Sequence, residues 1–304
     1  MSVRETDLAS TAAGTPAAQA GTITIGGELV VNRMGFGAMR LTGEGIFGPP
    51  KDPAECVRVL RRAVELGVNF IDTADSYGPF VSEELIAEAL YPYPEGLVIA
   101  TKGGFERPGP GRWVENGRPE HLREALEGSL KRLRLDRIDL WQLHRIDPKV
   151  PADEQFDVLA EFVRDGAVRH VGLSEVDEAD VEDAQRFVPI VSVQNRYNVV
   201  DREWEPVVEY CARAGIAFIP WRPIGGACLE SESAKRGVMR RVEHVARRHE
   251  ASVLQVALAW LLARSPIMLP IPGTSKVKHL EENLAAAGLE LTDEDLRELD
   301  ARGD

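Results

Sequence analysis

The run PAECVRVLRRAVELG (53–67), followed at once by VNFIDTADSYG (68–78), decides the fold. Its first part places Cys56, Val59, Leu60, Ala63, Val64 and Gly67 near one stripe, the pattern of an amphipathic helix. Its second part is a short β-prone run that ends on Asp72 and empties into a loop carrying Tyr77. Working outward, the same alternation repeats. Strands are predicted at 33–38, 68–72, 97–101, 138–143, 168–173, 190–194, 216–220 and 267–271. Helices are predicted at 53–67, 82–90, 119–134, 153–165, 177–186, 203–214 and 276–287, with two more (236–249 and 252–264) after the seventh strand. A last one, 292–301, starts on Thr292, a good N-cap.

Strands that alternate with helices pair in parallel, because parallel neighbours need a crossover connection. Eight such units in one chain predict a closed (β/α)8 barrel of the α/β class. TITIGGELVV (22–31) adds an N-terminal β-hairpin around a Gly26-Gly27 turn, and the extra helices lie toward the C-terminus. No linker divides the chain, so residues 21–304 read as one domain and residues 1–20, poor in apolar bulk, as a mobile tail. RMGFGAMRLTGEG (33–45) lacks the third glycine of a dinucleotide-binding GxGxxG turn, which excludes a Rossmann domain.

Among 304 residues, 36 are basic and 49 acidic, and the net charge of −13 disfavours nucleic-acid or anionic-membrane binding. Cys56, Cys211 and Cys228 show no metal-ligand or disulfide spacing, which fits a reducing cytoplasm and no metal site. No apolar run reaches the roughly 18 residues of a membrane helix, and no export signal is visible. The expected partner is a small molecule, bound by a monomer or small homo-oligomer.

In such a barrel the chemistry sits on loops after the strands. The second strand ends at Asp72, the third at Lys102 of IATKGG (99–104), and the fourth at His144 of LWQLHRID (140–147). Singly, each has a plain structural explanation: a turn former, a solvated amine, a hydrogen-bonded imidazole, a packed ring. Together they bring two opposite charges, a phenol and an imidazole to one concave mouth. A phenol, with pKa near 10, is a poor acid at neutrality unless a neighbouring ammonium stabilises its anion. Asp72 would hold Lys102, Lys102 would tune Tyr77, and His144 would orient a substrate oxygen.

NFIDTADSYG (69–78), IATKGG and LWQLHRID resemble, in order and context, the Asp, Tyr, Lys, His tetrad of the aldo-keto reductases, and the likeness runs from about residue 22 to the end. NRMGFGAMRLTGEGIFGPP (32–50) and IPWRPIGG (219–226) look most like bacterial members that oxidise pyridoxal or pyridoxine. The resemblance implies reversible reduction of an aldehyde or ketone with NADPH, or NADH, as hydride donor and Tyr77 as general acid and base. It assigns Ser174 of GLSEV (172–176) and Gln194 of SVQNRYN (192–198) to the nicotinamide carboxamide. Glu175 stands where the family frequently has Asn, which exchanges a donor for a pure acceptor.

Trp221 holds the position of the family's nicotinamide-stacking aromatic, with Gly225 and Gly226 in the pyrophosphate cover, and Gly37, Ala38, Met39, Asp72, Arg222, Pro223 and Ile224 also border the cofactor, while Arg222 and Arg145 equally suit an anionic or polar substrate group or pairing with nearby acids. IPGTSKVKHLEENL (271–284) runs from a turn into a helix, a natural phosphate site. The likeness assigns Gly273, Thr274, Ser275, Lys276, His279, Glu282 and Asn283 to the adenosine and its 2′-phosphate. Many relatives have Lys at Gly273 and Arg at His279, and Lys276 with Lys278 would supply the charge instead. Phe47, Phe80, Trp113 and Arg145 are candidates for the substrate pocket, and the Gly- and Pro-dense stretch 105–119 for a loop that closes over it. Two competing readings use the same barrel: a slow cofactor-binding regulatory subunit, and a Schiff-base aldolase with Lys102 as nucleophile.

Overall fold

A computed structural model describes residues 14–223 and 233–301. Strands β1 (Thr22–Ile25) and β2 (Leu29–Asn32) form an antiparallel hairpin. Its loop has three residues, because Ile25 pairs with Leu29; Gly26 and Gly27 take φ of 61° and 76°, open to glycine at little cost. The barrel strands are β3 (Phe36–Gly37), β4 (Phe70–Asp72), β5 (Val98–Gly103), β8 (Ile138–Leu143), β9 (Val168–Ser174), β10 (Ile190–Gln194) and β11 (Ala217–Phe218). They pair side by side, all in parallel, in the order β11-β10-β9-β8-β5-β4-β3.

The eighth predicted strand, 267–271, closes the ring from both sides. Its backbone bonds β11 through Phe218 N to Ile267 O and Leu269 N to Phe218 O, both 2.9 Å. On the other side Gly35 N donates to Pro270 O at 3.0 Å. The architecture is the expected (β/α)8 barrel.

The helices are α1 (Pro53–Glu65), α2 (Val81–Leu90), α3 (Pro119–Leu133), α4 (Ala152–Arg164), α5 (Glu178–Gln185), α6 (Glu205–Ala214), α7 (Ser233–Arg248), α8 (Val253–Arg264), α9 (Val277–Leu284) and α10 (Asp293–Asp300). The first shows how sequence sets such an element. Asp52 caps it through Glu55 N at 2.9 Å, Pro53 pre-sets its first turn, and Cys56, Val57, Val59, Leu60 and Ala63 are buried against the barrel. Thr292 caps α10 in a reciprocal box with Asp295, as its sequence predicts.

The hairpin β1–β2 plugs the barrel floor: Ile25, Leu29 and Val31 pack with Phe70, Val98, Ala100, Leu140, Ile219 and Leu269. The floor is therefore apolar, and the polar side chains gather at the other rim.

Two expectations need correction. The sequence places a mobile tail at 1–20, yet residues 16–20 form a 3₁₀ turn, Ala17 is fully buried, and Ala17 N donates to Leu66 O at 3.1 Å. The turn lies beside the end of α1, where Ala17 joins the apolar cluster of Leu60, Ala63 and Ala286. Residues 1–13 lie outside the described part.

The stretch 105–119 is also more than a loop. β6 (Phe105–Gly109) and β7 (Arg112–Glu115) pair antiparallel around Pro110-Gly111, and their register shifts between Glu106 and Gly109, where Pro108 cannot donate. No helix among the described residues is long and apolar enough to cross a membrane.

Candidate active site

Parallel register brings the polar groups to one level. Asp72 pairs with Ala100 on β5, and two residues on, Lys102 pairs with Gln142 on β8. His144 follows β8 directly, its amide bonded to Gly103 O at 2.9 Å. Tyr77 arrives from the loop after β4, where Asp75 N is tied to Lys102 O at 3.1 Å.

The four residues of the expected tetrad converge. Lys102 is wholly buried and Asp72 is 2% exposed. The ammonium donates to Asp72 Oδ2 at 2.7 Å, to Thr73 O at 2.7 Å and toward the Tyr77 hydroxyl at 3.5 Å. The second oxygen, Asp72 Oδ1, accepts from Gln194 at 2.8 Å and from Gln142 at 3.2 Å. A buried charge pair survives only with such satisfaction of its remaining lone pairs and protons.

Burial weakens the Lys102 ammonium, but Asp72 above all, with Tyr77, outweighs it and the pKa rises above the ordinary lysine value. Lys102 is thus held as an ammonium, which leaves no lone pair for Schiff-base attack.

Tyr77 is pushed up by burial, with Lys102 pulling the other way and Asp72 adding to the rise. The ammonium acts on the phenol in the expected sense, but burial is larger, so Tyr77 rests as a protonated phenol. His144 is driven well below its ordinary pKa by burial and by the cations Lys102, Arg145 and Arg107. It is a neutral imidazole. Nδ1 lies 3.4 Å from the Ser76 hydroxyl, and Nε2 has no hydrogen-bond partner among the described residues.

An aromatic wall closes around it. Phe105 meets the His144 ring edge-on at 4.7 Å and Trp113 at 5.3 Å, while Tyr77 lies 6.3 Å from Trp113. Arg107 stacks 3.5 Å over Trp113 and donates to Gly45 O, Ser76 O and Arg112 O, fastening three loops with one guanidinium. Phe47 borders this group, its ring 5.9 Å from Arg107. Phe80 is not brought in: it is 46% exposed with φ 74°, and its ring lies under Arg132, which pairs with Glu83 on α2. Phe105, Arg107, Ser76 and Gln142 escaped the sequence reading. For Gln142 the signal was the two-residue alternation that gives Leu140, Gln142 and His144 one face.

The residues expected to hold a dinucleotide follow around the rim. Ser174 ends β9 and donates to Gln194 O at 2.8 Å across the β9–β10 register. Trp221 is half-buried, and its indole Nε1 donates to Glu175 Oε1 at 2.5 Å. The same oxygen accepts from Arg196 N at 2.6 Å, and Glu175 itself takes φ 57°. Glu175 thus fixes the indole ring, a role that its replacement of Asn did not announce. Arg222 is exposed, its guanidinium 5.6 Å from the Trp221 ring, and Pro223 is buried. Ile224, Gly225 and Gly226 lie outside the described residues.

Gly37 and Gly273 are glycines for a packing reason. A Cβ on Gly37 would meet Ile271 O at 2.6 Å, and one on Gly273 would collide with Gly37 O. The lysine common at that position in relatives has no room here. Ala38 is buried and Met39 half-buried in the turn after β3.

At the start of α9, Thr274 is buried, Ser275 and Lys276 reach solvent, and Val277 N donates to Glu55 Oε1 at 3.2 Å. Lys278 pairs with Glu282 at 3.8 Å, whereas Lys276 has no ion pair among the described residues. His279 is exposed and Asn283 buried. The residue set fits a dinucleotide: a pinned aromatic ring, the paired polar strand ends Ser174 and Gln194, backbone with no Cβ at Gly37 and Gly273, and the Lys276 ammonium at a helix start. No group of three or more His, Cys, Asp or Glu able to hold a metal occurs among the described residues.

A barrel with a Tyr-Lys-Asp-His cluster at its C-terminal rim defines a class of oxidoreductase, and the comparisons agree. The model of the aldo/keto reductase family matches residues 33–304. The chain is 54% identical over 287 residues to an uncharacterised oxidoreductase of Schizosaccharomyces pombe, covering 94% of this chain and 91% of that one. It is 43% identical over 285 residues to pyridoxine 4-dehydrogenase of Escherichia coli, covering 92% and 97%. Among solved structures, a thermostable aldo-keto reductase crystallised with the inhibitor epalrestat superposes with a TM-score of 0.79 at 33% identity, covering 93% and 99%. The glycerol dehydrogenase of Gluconobacter oxydans gives 0.83 at 26%, covering 92% and 94%. The chain belongs to the aldo/keto reductase family.

Proposed function

We propose that the protein reduces an aldehyde or ketone to the alcohol, reversibly, with NADPH as its coenzyme and Tyr77 as the group that gives and takes the proton. The observation that carries this reading is the wholly buried Lys102 ammonium, bonded to Asp72 at 2.7 Å and directed at the buried Tyr77 hydroxyl at 3.5 Å. When bound, the coenzyme supplies the hydride.

The chain's own residues do the rest. His144, neutral and with Nε2 open, donates to the carbonyl oxygen or orients it, depending on its tautomer. As negative charge develops on that oxygen, Tyr77 delivers its proton, and the phenolate left behind is stabilised by Lys102. Phe105 and Trp113 keep water from the reacting centre. In the oxidative direction the same phenolate accepts the alcohol proton.

Trp221, pinned by Glu175, is placed to stack on the nicotinamide, with Ser174 and Gln194 for its carboxamide and Lys276 for the 2′-phosphate. That cation, without an ion pair among the described residues of an acidic protein, supports NADPH over NADH. The relative from Escherichia coli is by name a dehydrogenase of pyridoxine, which favours an aromatic aldehyde and its primary alcohol as the pair. A reducing compartment suits the buried free thiols of Cys56 and Cys211.

The test is NADPH oxidation at 340 nm across an aldehyde panel, with Tyr77→Phe alongside. The variant is expected to lose about 100- to 10,000-fold in kcat while binding NADPH as before. Undiminished kcat in Tyr77→Phe refutes the assignment, and no turnover with any carbonyl refutes the reductase.

A further inference from the structure

Arg145 is a cation at the mouth without an ion-pair partner among the described residues. It follows His144 directly, is half-buried, and donates through Nη1 to His144 O at 2.5 Å and to Ser174 Oγ at 3.1 Å. Glu175, whose Oε1 serves Trp221 and Arg196, and Glu115 act on it only from beyond ion-pair distance.

Several arginines that lose water on folding are matched by acids: Arg132 with Glu83, Arg202 with Asp300, Arg248 with Asp295, Arg264 with Glu205. Arg33 and Arg107 also lack ion pairs among the described residues, but each spends its guanidinium on three carbonyls, whereas Arg145 donates through one nitrogen alone. Burial holds its pKa below the ordinary arginine value, the sign of a charge whose lost hydration the fold does not replace. Its Nε and Nη2 have no hydrogen-bond partner among the described residues. Those two atoms form the side-on fork that matches two oxygens of one anion.

We propose that Arg145 is the anchor for an anionic oxygen group, carboxylate or phosphate, carried by the carbonyl substrate. The guanidinium touches both His144 and Ser174, so an anion on its free edge would sit beside the group being reduced. Phe105, 5.6 Å from the guanidinium and edge-on to His144, would line the segment that joins the two ends of the substrate. On this reading the natural substrate is an aldehyde with a negative charge a few bonds from its carbonyl. The inference rests on the proposed reductase activity but adds a separate claim about charge.

The test compares benzaldehyde, 4-carboxybenzaldehyde and 4-formylphenyl phosphate as substrates of the wild type, Arg145→Gln and Arg145→Lys. The wild type should prefer at least one charged aldehyde over benzaldehyde in kcat/KM. Arg145→Gln should lower that ratio by about 10- to 100-fold, mainly through KM, the range for a lost charge-assisted contact, and Arg145→Lys should recover part of it. The two charged arms decide between carboxylate and phosphate.

A second readout needs no turnover. Benzoate and phenyl phosphate are titrated against tryptophan fluorescence; saturable quenching by either in the wild type, lost in Arg145→Gln, supports the subsite. A wild type that turns over benzaldehyde as well as its charged analogues, or a ratio untouched in Arg145→Gln, overturns it. Failure with every aldehyde while an anion still binds through Arg145 would instead sink the reductase reading and leave the subsite standing.

Discussion

Replacing Lys102 by Met strips the Asp72 carboxylate of its only ion-pair partner among the described residues, and the surviving hydrogen bonds set the cost. Asp72 Oδ1 keeps the Gln194 and Gln142 amides, at 2.8 and 3.2 Å, but Oδ2 loses its one donor in a fully buried setting. Breaking a buried pair from one side costs about 3–5 kcal/mol, and the two remaining amides place this variant near the lower end. Asp72→Asn leaves the ammonium with Thr73 O at 2.7 Å and the phenol at 3.5 Å, and belongs nearer the upper end.

If the sites were independent, the double variant would cost about 8 kcal/mol, more than many domains have in total. With both charges gone no uncompensated ion remains, and the double variant should fall short of the sum by at least about 2 kcal/mol. Urea unfolding followed by tryptophan fluorescence gives the three values, provided the slope is shared. All three proteins should lose at least about 100-fold in kcat, so stability returns in the double variant while turnover does not. Additivity within about 0.5 kcal/mol would refute the coupling, and turnover regained by the double variant would refute the tuning of Tyr77 by Lys102.

Removing the acceptor that pins the indole, in Glu175→Ala, should weaken NADPH binding about 5- to 30-fold and shift Trp221 emission, with Glu175→Gln retaining most of both; unchanged affinity in the alanine variant would count against the pin. Asp75 is buried with Oδ1 unpartnered among the described residues, and burial, then the Glu83 carboxylate, push its pKa up to about 8 against an opposing Arg132. Its folded-state pKa lies above the unfolded value of about 4, so the contribution of Asp75 to stability is fullest below pH 4 and declines as pH rises toward 8. Asp75→Asn should flatten that slope in urea midpoints, and an identical slope would exclude Asp75 as its source. Gly273→Ala drives a methyl into the Gly37 carbonyl, a backbone atom that cannot rotate away, and should cost about 1–3 kcal/mol, read as a lowered Tm; an unaltered Tm would mean the rim can relax.

The barrel was legible because two periods, two residues in strands and 3.6 in helices, alternate from β3 to α9 apart from the β6–β7 hairpin and the paired helices α7 and α8. The tetrad was legible for a related reason: strand ends are chemical positions in this fold, and Asp72, Lys102 and His144 each stand at or next to one. What escaped reading depends on contacts between distant loops. The β6–β7 hairpin is dense in Pro and Gly, a composition shared by open loops, and only its pairing distinguishes it. Phe80 stands three residues from Tyr77, yet its left-handed backbone turns the ring to Arg132 on α3. The partners of Glu175 lie 21 and 46 residues away in the chain, so no local pattern reveals that its carboxylate faces an indole rather than a carboxamide.

The charges at the rim are distributed so that one mobile proton remains. Asp72 and Lys102 form a buried pair locked by two glutamines and a carbonyl, and the raised pKa of Lys102 keeps its proton in place. His144, surrounded by three cations in a buried place, is kept from charging and can only donate or accept a hydrogen bond. Tyr77, raised by the same burial, rests with its proton on, and in the proposed mechanism it gives that proton up only when negative charge appears on a substrate oxygen within its reach. In that mechanism burial, which leaves Tyr77 a weak acid and His144 a weak base, ties proton release to the arrival of charge at the carbonyl. An anion held at Arg145 would offset one of the cations acting on that oxygen, so the same field that favours charged substrates sets how strongly Lys102 must act.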